Sequence, residues 1–207
     1  MIISFEGLDG CGKSTQLNLL YEYLLKLGKK VKVLREPGGN TISEMIRTIL
    51  LDKKNLSMCD KTELLLYLAS RAQLVHTEIE PLLDKNYIVI LDRFIDSTTA
   101  YQGYGRGLDL NIIRLLNNFV TSSGKFIPDI TFFIDLQAEQ SLKRIFSRGE
   151  EINRMESLKI DFFERIRNGF IEISVNEPER VFRIDGSGSI DSIFNQVRNI
   201  LIMRKIL

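Results

Sequence analysis

Short runs of consecutive apolar residues alternate along this chain with longer stretches in which apolar residues recur every third or fourth position. The runs are Ile2 to Glu6, Val31 to Arg35, Tyr87 to Asp92, Ile130 to Asp135 and Val181 to Ile184. Tyr87 to Leu91 shows no polar alternation, which predicts a strand covered on both faces. Between the runs, Leu17, Leu20, Leu24 and Leu27 form a helical stripe that Gly28 closes. Leu64, Leu65, Leu68, Ala72, Val75 and Ile79 form another, which Pro81 is expected to halt. Ile190, Ile193, Phe194, Val197 and Leu201 give a last helix its buried face. Strand then helix, repeated, predicts an α/β domain over residues 1–207, a five-stranded parallel sheet with helices on both faces. Residues 144–156 break the pattern: they are dense in charge and carry no apolar stripe, and they predict a mobile lid segment.

Composition narrows the class. The 207 residues are 44% hydrophobic and 27% charged, with a net charge of +1. That balance excludes a disordered chain and a membrane bundle, since no apolar run approaches the length of a bilayer span. No stretch is densely basic, so nucleic acid is not an expected partner. The opening MIISFEGLDG lacks the basic start of a secretory signal. Cys11 and Cys59 are too few for a disulfide framework, and a cytoplasmic setting is expected. The single histidine, His76, removes most zinc sites and reads as a solvent-facing or capping residue on the third helix.

Chemistry enters at Gly7-Leu8-Asp9-Gly10-Cys11-Gly12-Lys13-Ser14, which matches G-x-x-x-x-G-K-[ST] directly after the first strand. Glycines there let backbone N–H groups turn inward around phosphate oxygens, and the following helix N-terminus adds favourable potential. The pattern predicts a P-loop NTPase fold, with residues Gly7 to Ser14 and Thr15 binding a nucleoside triphosphate and Lys13 reaching the outer phosphates. Lys13 is expected to be exposed and to contribute little packing. Cys11 reads as a small side chain where little volume is available, with a redox-sensitive thiol as the other reading. Mg²⁺ would be held by the Ser14 hydroxyl and by a strand-end carboxylate, Asp92, with Asp135 as the alternative. A P-loop alone suits a GTPase, a motor or a small-molecule kinase. No N-K-x-D motif follows any strand. Arg35, Arg71, Arg93, Arg106, Arg148 and Arg154 instead sit at strand and helix ends, as expected if a second phosphorylated ligand binds.

One further stretch is more specific. Asp92-Arg93-Phe94-Ile95-Asp96-Ser97-Thr98-Thr99-Ala100-Tyr101-Gln102-Gly103-Tyr104-Gly105-Arg106-Gly107 resembles the D-R-[YF]-x-x-S-x-x-A-Y-Q-G-x-G-R-G signature of thymidylate kinases. The resemblance extends to Phe5 to Gly10, Arg35-Glu36-Pro37-Gly38-Gly39, Tyr67 to Gln73, Pro128 to Phe132 and Asp161-Phe162-Phe163. It implies transfer of the γ-phosphoryl of ATP to dTMP, and a homodimer. Carried over by position, it implies that Arg35 and Arg93 grip the dTMP phosphate. Tyr67, where the family usually has Phe, stacks on thymine, and Arg71 bonds a base carbonyl. Thr98 and Gln102 line the base pocket, and Tyr101 packs under the deoxyribose. Asp9 stands near the sugar 3′-hydroxyl and the catalytic arginines. The bond before Pro37 lies where the family often has a cis peptide. Members carry a catalytic arginine in the P-loop or in the lid. Gly10 fills the P-loop slot here, so Arg148 is the first choice, with Arg144 and Arg154 as rivals and Asp9, Lys13 and Arg93 completing the catalytic set. Asp185-Gly186-Ser187-Gly188 is the expected adenine contact.

Overall fold

A computed structural model describes residues 1–147 and 153–206. Its strands are β1 (Ile2–Glu6), β2 (Val31–Arg35), β3 (Ile88–Asp92), β4 (Ile130–Asp135) and β5 (Val181–Asp185). They form a sheet in the order β2-β3-β1-β4-β5, every neighbouring pair parallel. The helices are α1 (Lys13–Lys26), α2 (Thr41–Leu51), α3 (Asp60–Leu74), α4 (Glu80–Asp84), α5 (Ile95–Thr98), α6 (Leu110–Val120), α7 (Ala138–Phe146), α8 (Ile160–Asn176) and α9 (Ile190–Met203). Among the described residues no helix is long and apolar enough to cross a membrane.

Strand alternation sorts the core into two faces. Ile3, Phe5, Ile90, Ile130, Phe132, Ile134 and Ile184 pack against Leu17, Leu20 and Leu24 of α1 and Ile193, Val197 and Leu201 of α9. On the opposite face Ile2, Val89 and Leu91 meet Leu74, Val75 and Ile79. Farther along that face, Phe133 and Val181 meet Phe163, Ile166 and Phe170 of α8, with the Phe133 and Phe170 rings stacked at 5.1 Å. The central strand β1 is buried along its whole length, as a strand covered on both sides must be.

Three helical expectations need correction. Leu27 is 47% exposed, because α1 ends at Lys26 and Leu27 already belongs to the cap that Gly28, at φ +71°, completes. Leu65 is 57% exposed, since one residue along a helix turns the side chain about 100° away from the buried Leu64 and Leu68. Pro81 does not halt the third helical region. The chain widens into a π segment, Val75–Ile79, and Pro81 falls in the first turn of α4, where its missing N–H leaves no bond unmade.

The C-terminal ends of the strands converge. Phe5 pairs with Asp92, and Arg35 pairs with the same residue from the other side. This places Glu6, Asp92 and Arg35 along one rim, where open parallel sheets bind ligands. Glu6 is fully buried there and accepts hydrogen bonds from Phe94 N at 2.7 Å and Ser97 Oγ at 2.5 Å, tying β1 to the turn after β3. Burial, and then the nearby Asp96, push its carboxyl up to about 8. The folded state therefore holds a proton that the unfolded chain releases near 4.5, so stability falls as pH rises between those values. Glu6→Gln is expected to flatten this limb. Its thermal midpoint should gain on the native chain from pH 4.5 to about 8 and then run parallel to it. A gap that stays constant across that range, read by calorimetry, would show that Glu6 is ionised throughout.

Candidate active site

Between β1 and α1 the loop turns on glycines held at φ +135° (Gly7), +82° (Gly10) and +101° (Gly12). Gly12 is the helix N-cap in a left-handed conformation with open space beside it, so backbone freedom is what the position requires. Lys13 is not exposed as expected. Only 6% of it is accessible, and Nζ donates to Leu8 O at 2.8 Å and Gly7 O at 3.2 Å. Gly7 and Leu8 thus stand behind the loop and do not line its cavity, and the Leu8 side chain joins the core beside Tyr101 and Phe133. Cys11 is buried, and burial pushes its thiol up, so it is a packing residue and no reactive thiolate.

A cavity of about 660 Å³ opens over the loop, lined by Asp9 to Gln16 with Asp92, Arg144, Gly186 and Gly188. The Asp185–Gly188 loop therefore does reach this cavity. Ser14 Oγ donates to Asp92 Oδ2 at 3.1 Å, bringing the proposed metal pair together. Asp135, the alternative, is closed off: Arg167 and Arg183 both bind its carboxylate, at 2.6 Å each.

A narrower second cavity adjoins the first, and Asp9, Glu36, Arg47 and Arg93 line both. Tyr67, Arg71, Thr98, Tyr101 and Gln102 line the second, with Asn153 and Met155 from the far side of the charged segment. Of the residues that the resemblance assigns to dTMP, all lie here except Arg35, which stays at the first cavity. A π segment, Thr99–Gly105, carries Tyr101 and Gln102 into the wall. Glu36-Pro37 is cis.

Arg93 is the pivot. It sits at φ +70°, a conformation that costs a non-glycine residue about 1–2 kcal/mol. Its contacts fix it there: Nη1 donates to Gly7 O at 2.9 Å and Ser97 Oγ at 3.0 Å, and Nη2 to Asp9 Oδ1 at 2.7 Å and Tyr101 Oη at 3.1 Å. Arg71 is fully buried over the Phe94 ring, with Nε and Nη2 on Glu36 Oε2 at 2.8 and 2.6 Å and Nη1 on Asn117 Oδ1 at 2.7 Å. Arg35 is half exposed and bound to both oxygens of Glu44.

Not all the arginines converge. Arg106 and Arg154 both turn to buried Glu63, at 2.9 and 2.7 Å, so neither faces the P-loop. Arg154 also donates to Leu50 O at 2.7 Å, which removes it as a rival for the catalytic role. Arg148 lies outside the described residues. Arg144 lines the P-loop cavity, with Nη1 3.4 Å from Gly10 O. Sequence reading missed Arg47, which lines both cavities while donating to Pro37 O at 2.9 Å. The signal was an arginine one turn from the end of α2, on a helix otherwise apolar and neutral in that turn. Gly10 has a steric reason: a Cβ there would lie 2.9 Å from Ser141 O and 3.3 Å from Arg144 Cβ.

Residues 5–197 match the family model for thymidylate kinase. The chain is similar to the thymidylate kinase of Chlorobaculum tepidum, 46% identical over 205 residues that cover 95% of this chain and 94% of the relative. It is likewise similar to that of Thermoanaerobacter pseudethanolicus, 43% identical over 199 residues covering 96% of each. The crystal structure of thymidylate kinase from Ehrlichia chaffeensis superposes with a TM-score of 0.78 at 38% identity, covering 97% of both chains.

Proposed function

This chain belongs to the thymidylate kinase family, and from that membership we propose how its residues divide the transfer of the γ-phosphoryl group of ATP to dTMP. It is a nucleotide-binding transferase that makes dTDP, a step in dTTP synthesis. The observation that carries the division of labour is the junction of the two cavities at Asp9, Glu36, Arg47 and Arg93. ATP occupies the P-loop side, its phosphates held by loop amides, Lys13, Ser14 and Thr15, with the Asp185–Gly188 loop toward adenine. The monophosphate occupies the other side, its phosphate meeting Arg93 and Arg47 at the junction, with Arg35 reaching it from the P-loop side. Tyr67 then lies against the base, Arg71 donates to a base carbonyl, Thr98 and Gln102 complete the wall, and Tyr101 lies under the sugar. Asp9 orients Arg93 and stands near the sugar 3′-hydroxyl.

The acceptor oxygen belongs to a phosphate already ionised at neutral pH, so no general base is required. His76 accordingly lines neither cavity; it is exposed and faces Glu80. The problem is to align two anions, which the arginines and Lys13 solve by charge and position. Gly10 carries no side chain, and the lid's Arg148 is assigned to the transferring group. The Ser14–Asp92 oxygens suit Mg²⁺, which takes few protein ligands and completes its shell with phosphate and water. Ser14 and Asp92 would hold the ion, whose charge would offset that of the phosphates.

Exposed Ile42, Met45 and Ile49 of α2 and Ile112, Leu115 and Phe119 of α6 repeat at helical spacing on helices that both pack against α3. We assign this face to a homodimer, which sedimentation of the intact chain tests. The setting is assigned to the cytoplasm, where ATP and dTMP are available; a fractionation that places the protein elsewhere contradicts it.

ADP release measured with ATP and each monophosphate in turn tests the substrate. dTMP is expected to exceed UMP, since Tyr101 crowds a 2′-hydroxyl and the pocket accepts the 5-methyl, each worth about 1–3 kcal/mol. Equal kcat/KM for dTMP, UMP and CMP would instead mark a general pyrimidine monophosphate kinase.

A further inference from the structure

Two polar side chains that line the acceptor cavity are each held by a buried acid. Arg71 is held by Glu36, and a guanidinium can only donate, whichever way it is turned. Gln102 is different. A primary amide has a donor end and an acceptor end of nearly the same shape, so its orientation must be decided by a neighbour.

The neighbour is Glu63. Gln102 is 1% exposed, and its Nε2 donates to Glu63 Oε1 at 2.9 Å. Glu63 is 0% exposed, and it also accepts from Arg106 Nε at 3.1 Å, Arg106 Nη2 at 2.9 Å and Arg154 Nη2 at 2.7 Å. Burial pushes its carboxyl up, but the hydrogen bonds from Arg106, Gln102 and Arg154 and the Arg106 charge together hold it below the usual carboxylate range. At neutral pH Glu63 is therefore ionised and can only accept. It takes the NH₂ end of Gln102, which turns the carbonyl end the other way. Among the described residues, Gln102 Oε1 makes no hydrogen bond, while Gln102 lines the acceptor cavity.

The cavity wall thus carries one side chain fixed as an acceptor and another that is always a donor. A base edge with an imide N–H beside a carbonyl satisfies both. An edge with a ring-nitrogen acceptor beside an amino group meets acceptor with acceptor and donor with donor. We propose that Glu63 is a positioning residue for base selection: it locks the Gln102 amide so that the site takes the dione pyrimidines and refuses the aminopyrimidine. This rests on the acceptor cavity being the nucleoside monophosphate site, as assigned above.

The test uses dUMP and dCMP, which share a sugar, lack the 5-methyl group and differ only along this edge. The intact native enzyme is measured first: a preference for dUMP establishes that the cavity reads the base, and its absence would fail the assignment of the site, not of Glu63. In Glu63→Gln the new amide can donate or accept, so Gln102 is free to turn over. The dUMP-to-dCMP ratio of kcat/KM is expected to fall about tenfold or more, since a mismatched polar group is what the site otherwise rejects. A purely structural role would lower both values in proportion, and an unchanged ratio in a folded Glu63→Gln enzyme overturns the proposal. Should that variant fail to fold for want of a charge between Arg106 and Arg154, Gln102→Met leaves Glu63 and both arginines in place. The same fall in the ratio is then expected, and an unchanged ratio overturns the proposal equally.

Discussion

Replacing Lys13 with methionine is expected to lower kcat by about 10²–10³ while the thermal midpoint shifts little, the loss typical of one preorganised donor aimed at developing charge. Methionine is the informative choice because the lysine stem is packed: only 6% of the residue is accessible. Alanine would confound loss of charge with a void beside the carbonyls of Gly7 and Leu8, which Nζ now caps. The ammonium can serve phosphate oxygens from the same place, since of its three donors two meet loop carbonyls and the third meets only the weak acceptor Cys11 Sγ, at 3.9 Å. Near-native turnover by a folded Lys13→Met enzyme would contradict the assignment of the P-loop cavity to ATP phosphates.

The arginines of the charged segment should separate into distinct phenotypes. Arg148→Ala is expected to lower kcat by about 10³–10⁵, as for other arginines that meet a transferring phosphoryl group. Affinity for dTMP alone, measured by calorimetry, should change little, because Arg93, Arg47 and Arg35 remain. Arg154→Ala should instead lower stability, since it strips a buried Glu63 of a partner at 2.7 Å; removing one member of a buried pair costs about 3–5 kcal/mol. Arg144→Ala is the control within the P-loop cavity. A steep loss of kcat there with a near-normal Arg148→Ala enzyme would transfer the role to Arg144, and near-normal values for both would defeat the lid assignment.

What the chain discloses in advance follows the range of the forces involved. The strands, the P-loop and the cap at Gly28 are set by residues within a few positions of one another, and they lie where local pattern puts them. Asp92 could be preferred over Asp135 on the arginine that follows it; that Asp135 is consumed by Arg167 and Arg183 is a matter of α8 and β5 packing, invisible locally. Arg106 and Arg154 looked like phosphate ligands because an exposed arginine and one bound to a distant buried acid read alike. Glu63 is 43 and 91 positions away from them in the chain. The burial of Lys13 is hidden for a related reason: its partners include backbone carbonyls, which every residue has. Leu65 shows the limit of periodicity itself, one step of 100° separating core from surface.

Gly10 bears on how such a loop could ever change. Ser141 Oγ donates to Asp9 O, clamping α7 onto the loop, and a side chain at position 10 would run into the Ser141 carbonyl at 2.9 Å. The backbone there, at φ +82°, already disfavours anything but glycine. A lineage that moved its phosphoryl-facing arginine from the lid into the loop could not begin at position 10. It would have to loosen α7 first and accept the new charge second, while the old arginine still worked. The packing of α7 on the loop thus holds position 10 to glycine, and any change there must be preceded by a change in the helix above it.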